Sequence, residues 1–318
     1  MKVTDHIKNA NGKTQFSFEI LPPLKGEHLQ SIFDNIDPLM EFNPPFIDVT
    51  YHREEYIYKE LENGLLKKKI VKKRPGTVGI CAAIQNKYQV DAIPHILCGG
   101  FTTEDTENFL IDLDFLGIQN VMALRGDPVK SETYFKPDKE GHAYASDLVN
   151  QIQELNLGNY LDDELLNTSK TDFCIGVAAY PEKHAEAPSL DSDIYFLKKK
   201  IKKGANYIVT QMFFDNQKYF DFVKKCRDEG IAIPIIPGLK PIATKKQLNL
   251  IPHRFKVDLP DDLIHEVLNC KNNEQVRQVG VEWCVNQSKE LKKAGIPVLH
   301  YYSMGRSDNI RSIASQIF

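Results

Sequence analysis

The chain is 318 residues long, with 42% hydrophobic and 26% charged residues and a formal net charge of −3 at pH 7. That suffices to bury a large core but is little more than one α/β barrel requires, so a single catalytic domain over residues 1–318 is the expectation. Neither half is strongly acidic or basic, which argues against nucleic acid or a membrane surface as partner and leaves small molecules.

In chain order, short apolar or β-branched runs recur: FSFEIL from Phe16, FIDVTY from Phe46, AIPHILC from Ala92 and NVMALRG from Asn120. FCIGVAAYP from Phe173, YIVTQMFF from Tyr207, PIIPGLKP from Pro234 and VLHYYSM from Val298 follow. They are near-continuous rather than alternating, the pattern of strands buried on both faces of a parallel sheet. Helical periods lie between them: Phe109, Leu113 and Leu116 before Gly117, and Leu148, Ile152 and Leu155 before Gly158. Ile194, Leu197 and Ile201 precede Gly204, and Tyr219, Val223 and Cys226 precede Gly230. Strands alternating with helices in this number predict a (β/α)8 TIM barrel rather than an open doubly wound sheet. Segments 53–91 and 128–145 exceed a minimal barrel and are expected to be loops or extra helices, and Ile310, Ile313, Ala314 and Ile317 mark a final amphipathic helix.

The cysteines, Cys81, Cys98, Cys174, Cys226, Cys270 and Cys284, form no C-x-x-C pair and have no histidine at metal-ligand spacing, so they read as reduced thiols without a metal. The polar start MKVTDHIKNANGKTQ has no apolar signal core, and no stretch approaches the roughly 20 apolar residues of a membrane span; a cytoplasmic protein follows. The runs KKKIVKKR from Lys67 and KKKIKK from Lys198 are broken by apolar residues at helical spacing and read as solvated helix faces, not nucleic-acid patches. No G-x-G-x-x-G or P-loop occurs, so a dinucleotide would not be held by a Rossmann turn.

In such barrels the chemistry sits at the carboxyl ends of strands. Glu19 stands among Phe16, Phe18, Ile20 and Leu21, where burial without a cation would keep a carboxyl protonated and able to donate; a structural ion pair is the alternative. His95 ends its strand as either a hydrogen-bonded core residue or a catalyst. Arg125, Gly126 and Asp127 combine a cation, an open backbone and an anion, which suits either a ligand or a self-satisfied turn. Tyr180 precedes His184 and Glu186, Gln211 places an amide among aromatics, and Lys200 could reach a cofactor phosphate.

Taken together, FSFEILPP, DVTYH, PHILC, ALRGDP, YASDLV, VAAYPEKHAEA, the GANYIVTQMFFD run, IIPGLKP and HYYSMGR resemble the methylenetetrahydrofolate reductase family, in order and from about Phe16 to Arg306. The resemblance implies a ping-pong flavoenzyme in which NADH or NADPH reduces FAD and hydride then passes to 5,10-methylenetetrahydrofolate, giving 5-methyltetrahydrofolate for methionine synthesis. It implies Glu19 as the general acid that opens the folate ring, Asp127 as a catalytic anion contacting the pterin and tuning the flavin, and Gln211 as the amide binding folate and nicotinamide in turn. FAD would lie on Thr50, Tyr51, His95, Arg125, Gly126, Asp127, Tyr144, Ala145, Tyr180, His184, Ala187, Asp193, Phe196 and Lys200, with Tyr302 and Arg306 near the folate. After Tyr51 this chain has His52 and Arg53 where many bacterial members carry Gly-Ala, and Ile251 stands where some carry an aromatic that stacks the nicotinamide cofactor. A cytoplasmic homo-oligomer is typical of the bacterial relatives.

Three other readings compete. A flavin-free pterin barrel of the methyltransferase type would have no use for Glu19, LRGDP and AAYPE together, and a non-catalytic folate-binding scaffold no use for Glu19, Asp127 and Gln211. A Schiff-base barrel would need a lysine in an apolar pocket, for which Lys240 is the one candidate; a structural role or a place on the solvent-facing rim explains Lys240 as well.

Overall fold

The computed structural model of the protein describes residues 1–129 and 132–318. Its strands are β1 (Gln15–Ile20), β2 (Phe46–Val49), β3 (Glu55–Glu60), β4 (Leu66–Val71), β5 (Asp91–Leu97), β6 (Asn120–Leu124), β7 (Cys174–Ala179), β8 (Tyr207–Thr210), β9 (Ile235–Ile236), β10 (Gly238–Leu239) and β11 (Val298–Tyr302). Its α-helices are α1 (Val3–Asn9), α2 (Gln30–Ile36), α3 (Thr77–Tyr88), α4 (Thr103–Phe115), α5 (Ala145–Leu157), α6 (Leu190–Lys202), α7 (Asn216–Asp228), α8 (Gln247–Phe255), α9 (Asp261–Asn269), α10 (Asn273–Lys293) and α11 (Asp308–Ala314).

Nine of the strands form one parallel sheet in the order β10-β11-β1-β2-β5-β6-β7-β8-β9. Its two ends, β9 and β10, are separated in the chain by Pro237 alone, so the sheet curls into a nearly closed ring wrapped by helices, the TIM-barrel-like fold that the alternating pattern predicts. PIIPGLKP, read as one strand, is therefore two. Proline has no N–H for the ladder, and the Pro237 carbonyl accepts instead from the His300 amide at 3.2 Å. The helices start and stop on local chemistry: Thr102 and Asp105 form a reciprocal capping box on α4, Ser189 caps α6, Asp215 caps α7, and Gly158 ends α5 at φ +88.

Side chains alternate along each stave. Phe16, Phe18 and Ile20 of β1, with Leu299 and Tyr301 of β11, pack outward on the helices. Phe46, Ile93, Met122, Cys174, Tyr207, Ile236 and Val298 meet inside, as an apolar floor closed by Val3 of α1. Above that floor the inward positions are polar: Ser17, Glu19, Asp48, His95, His300 and Tyr302. An apolar ring with a polar middle is the foundation of the site.

Segment 53–91 departs from expectation. Beside helix α3 it holds an antiparallel hairpin, β3 paired with β4, so the basic run from Lys67 lies on a strand and not on a helix face. The hairpin turns at Asn63–Gly64, with Gly64 at φ +77. Every β3 residue after Glu55 and every β4 residue before Val71 is exposed. The run from Lys198 does lie on a helix, α6. In segment 128–145 the described residues before α5 form loop, and Lys130 and Ser131 lie outside the described residues. The final helix is α11. Among the described residues no helix is long and apolar enough to cross a membrane, and no group of three or more His, Cys, Asp or Glu is placed to hold a metal ion. The cysteines are free thiols, all buried except the half-buried Cys270.

Candidate active site

The register of the ring decides which residues meet. Glu19 pairs with Asp48 on one side and with Tyr302 on the other, so three inward side chains from β1, β2 and β11 share one level. His95 rises beside them from β5. The Thr50 hydroxyl, just past β2, donates to Glu19 Oε1 at 2.7 Å and fixes that carboxyl, while its amide donates to the Ile20 carbonyl at 3.1 Å. Glu19 Oε2 lies 3.6 Å from His95 Nε2, and Asp48 Oδ2 lies 3.5 Å from the same nitrogen. Burial pulls the His95 pKa down, but the two carboxylates outweigh it and hold the imidazole above its ordinary value. Glu19 is thus not in the cation-free apolar setting predicted for it; a histidine stands against it, and its side chain keeps 15% of its surface open.

Two further groups in this layer carry more than sequence reasoning credited. Lys240, one residue past β10, is buried rather than set on the rim, and burial depresses its ammonium to a pKa of about 8, with the Glu19 carboxylate opposing the drop. The Tyr302 hydroxyl reaches over the split stave to donate to the Thr210 carbonyl at 2.7 Å, passing over Gly238, where a Cβ would stand 2.6 Å from Tyr302 Cε2. Tyr207 makes a similar crossing over Gly176. Asp48 was also missed as a site residue. Its signal was the one that marked Glu19, a carboxylate inside an apolar strand.

A second cluster forms at the mouth beyond β6 and β7. Arg125 Nη1 donates to Glu186 Oε2 at 2.7 Å and its guanidinium lies 5.1 Å from the Phe135 ring centroid. That pairing, with the nearby Asp127, outweighs burial and keeps Arg125 firmly charged. Gly126 follows at φ +85 and Asp127 is exposed. Tyr180 and His184 pack edge to face with centroids 4.7 Å apart. Burial and the Arg125 charge hold His184 below its ordinary pKa, so it is neutral at pH 7. The His184 amide donates to Asp193 Oδ2 at 2.5 Å, tying the loop to α6. The Gln211 amide donates to the Ala179 carbonyl at 2.8 Å, and its side-chain Oε1 accepts from the Met212 amide, leaving the NH2 end for a ligand.

Not every residue implied by the resemblance converges. Tyr51 is buried against Phe101 and Phe109 and its hydroxyl accepts from Lys72, so its ring belongs to the wall. Lys200 reaches inward to the Ala178 carbonyl at 2.5 Å, and burial lowers its pKa to about 8. Tyr144 caps α5, Ala145 begins it, and Phe196 packs on Tyr195 on the surface of α6; Tyr144 and Phe196 are exposed. The Ala187 carbonyl accepts from Lys183. Arg306 is exposed in the loop after β11, where its amide donates to Ser303. Ile251 is buried with Met212, Phe214, Val257 and Leu263. Arg53 is spent on Glu132, and burial and the Arg74 charge lower the pKa of His52.

Comparison with known proteins places this geometry. A solved structure of an uncharacterized Clostridium thermocellum protein that binds two copies of 5-methyl-5,6,7,8-tetrahydrofolic acid shares the fold, with a TM-score of 0.59 at 15% identity over 98% of this chain and 96% of that one. Methylenetetrahydrofolate reductase (NADH) 1 of Arabidopsis thaliana is 33% identical over 96% of this chain and 48% of its own length. The chain thus spans about half of that relative, but 90% of the 5,10-methylenetetrahydrofolate reductase of Escherichia coli, to which it is 30% identical over 95% of its own length. The model of the methylenetetrahydrofolate reductase family matches residues 2–317. A barrel whose mouth gathers Glu19, Thr50, His95, Arg125 and Asp127, matched along almost all of its length, belongs to the methylenetetrahydrofolate reductase family.

Proposed function

We propose that this chain, acting as one catalytic domain, reduces 5,10-methylenetetrahydrofolate to 5-methyltetrahydrofolate with FAD as cofactor and NADH or NADPH as electron donor. The observation that carries this reading is the Glu19 carboxyl. It stands at the carboxyl end of β1, oriented by the Thr50 hydroxyl, faced by His95 and open to the mouth of the barrel. A general acid needs that combination of fixed geometry and access.

The mouth cluster fits a flavin. Its donor set combines the Tyr180 and His184 rings, a guanidinium fixed by Glu186, and the open backbone at Gly126. Tyr180, His184, Arg125 and Gly126 would hold the cofactor, with Asp193 bracing the His184 loop. Bound there, FAD would supply hydride transfer from the nicotinamide to the folate. Glu19 donates a proton to the folate ring nitrogen whose loss opens the five-membered ring. Asp127 and Gln211 offer an anion and an amide to the pterin edge, and Tyr302 closes the far wall. Exposed Tyr58, Leu65 and Leu66 on the β3–β4 hairpin support self-association of the kind implied for a cytoplasmic homo-oligomer.

The test is the anaerobic visible spectrum of the purified protein. A yellow protein that bleaches with NADH or NADPH and recovers its colour on adding 5,10-methylenetetrahydrofolate is the expected result. A colourless protein that takes up no added FAD refutes the reading.

A further inference from the structure

We propose that Asp48 is a positioning residue for proton delivery by Glu19, acting through His95. The inference rests on Glu19 being the acid of the reaction described above. Asp48 is 1% exposed and lies inside the ring, so it touches no substrate. Neither of its carboxylate oxygens has a hydrogen-bond partner among the described residues. A carboxylate kept for structure alone would be satisfied by amides or hydroxyls. What faces it is His95 Nε2 at 3.5 Å, and that nitrogen is 3.6 Å from Glu19 Oε2. One N–H therefore stands between two carboxyl groups, too far from either for a formed bond and a small shift from both.

This spacing gives the nitrogen two duties. While Glu19 carries its proton, the imidazolium N–H serves Asp48. When the Glu19 O–H bond breaks and the proton bonds to the folate nitrogen, the new carboxylate draws the same N–H toward itself. The imidazolium keeps its own proton throughout, because Asp48 remains behind it as counter-charge. Its other titratable neighbours do not supply that anion. His300 bonds Ser17 at 2.9 Å and is held below its ordinary pKa by burial, His52 is lowered by burial and the Arg74 charge, and Lys240 is a base. Tyr207 and Tyr302 lie near the carboxylates as phenols whose pKa values burial pushes well above the ordinary.

The test reads His95 directly, in labelled protein without added ligand, by NMR titration of the histidine ring signals, with His95→Gln identifying the resonance. In the unmodified chain His95 should titrate above free imidazole; Asp48→Asn should lower that midpoint by at least about one pH unit, a tenfold weaker hold on the proton. Glu19→Gln should lower it less. A midpoint at or below free imidazole in the unmodified chain overturns the proposal even if Asp48→Asn does not fold, and so does a midpoint indifferent to Asp48→Asn. With FAD bound, the ratio of folate turnover to turnover with an artificial quinone acceptor, which needs no proton from Glu19, should fall at least about tenfold in Asp48→Asn. If that ratio falls in Glu19→Gln but not in Asp48→Asn, the positioning role is wrong and the reductase reading stands. If the unmodified chain turns over no folate, the reductase reading fails and the His95 titration still judges the pairing.

Discussion

Replacing Gly176 by alanine should destabilise the barrel from its centre. Gly176 pairs with Tyr207 across β7 and β8, and the tyrosine ring lies over it. A methyl group there would stand 2.6 Å from the Tyr207 hydroxyl oxygen and 2.7 Å from Cε2. The ring is fully buried, so it cannot move out into solvent. Overpacking of this kind costs about 1–3 kcal/mol. Alanine returns about 0.4–1 kcal/mol by restricting the unfolded chain, so a net loss of about 1–2 kcal/mol remains. At an unfolding entropy of about 2.1 cal/mol/K per residue, that lowers the melting temperature of a chain of this size by about 1.5–3 °C, read by calorimetry, with the free-energy loss read by urea titration. The steric origin is isolated by repeating the change in a Tyr207→Leu background, where the ring tip is gone and the added methyl should cost nothing. Equal losses in both backgrounds would refute the reasoning, because strand propensity and not the Tyr207 contact would then set the cost.

Glu19→Gln keeps the shape of the side chain but removes the proton that the proposed mechanism draws on, and on that proposal should slow folate reduction by about 10²–10⁴-fold in a steady-state assay while leaving the melting temperature close to the parent. Lys240→Met should stabilise the chain at neutral pH, by up to about 3 kcal/mol, because a lysine lowered from 10.5 to about 8 must be buried charged or give up its proton. The sign follows from the unfolded chain binding the proton more tightly. Between about pH 8 and 10.5 the parent recovers stability as pH rises, so the advantage of the methionine should shrink over that window; urea titrations at neutral and alkaline pH showing a constant difference would contradict it. Excising residues 57–69 and joining Tyr56 to Ile70, which face each other across β3 and β4, by a two-residue turn should change the stability of the monomer by less than about 0.5 kcal/mol, since the removed side chains are exposed, while weakening self-association through Tyr58, Leu65 and Leu66. A loss of several kcal/mol in chemical denaturation would show that the hairpin braces the mouth.

The staves were legible because strands buried on both faces spell themselves as apolar runs, and VLHYYSM shows how far that goes. Its Val298, Leu299 and Tyr301 announce a strand, while His300 and Tyr302 announce an interior with polar positions. The break at Pro237 was legible in principle, since a proline inside a central strand cannot continue the ladder. The hairpin was misread because lysines separated by Ile70 and Val71 fit a helical face as well as a pleated one. The Asn63–Gly64 turn between two β-prone runs was the discriminating signal. Glu19 was found by its odd setting, His95 by its place at a strand end and Tyr302 through the resemblance, but Asp48 was not found, and none of the three was read as meeting Glu19. That Asp48, His95 and Tyr302 meet it depends on register between strands far apart in sequence, which no local pattern encodes.

The split seventh stave gives the ring a gusset. Seven staves hold continuous ladders, whereas β9 and β10 offer two residues each, with Pro237 between them. A change in girth can be taken up there by parting a few backbone hydrogen bonds, without slipping the register of any other pair. Gly238, Lys240 and Tyr302, in the wall of the reactive layer, adjoin that break, so any change of girth taken up there falls beside the candidate site.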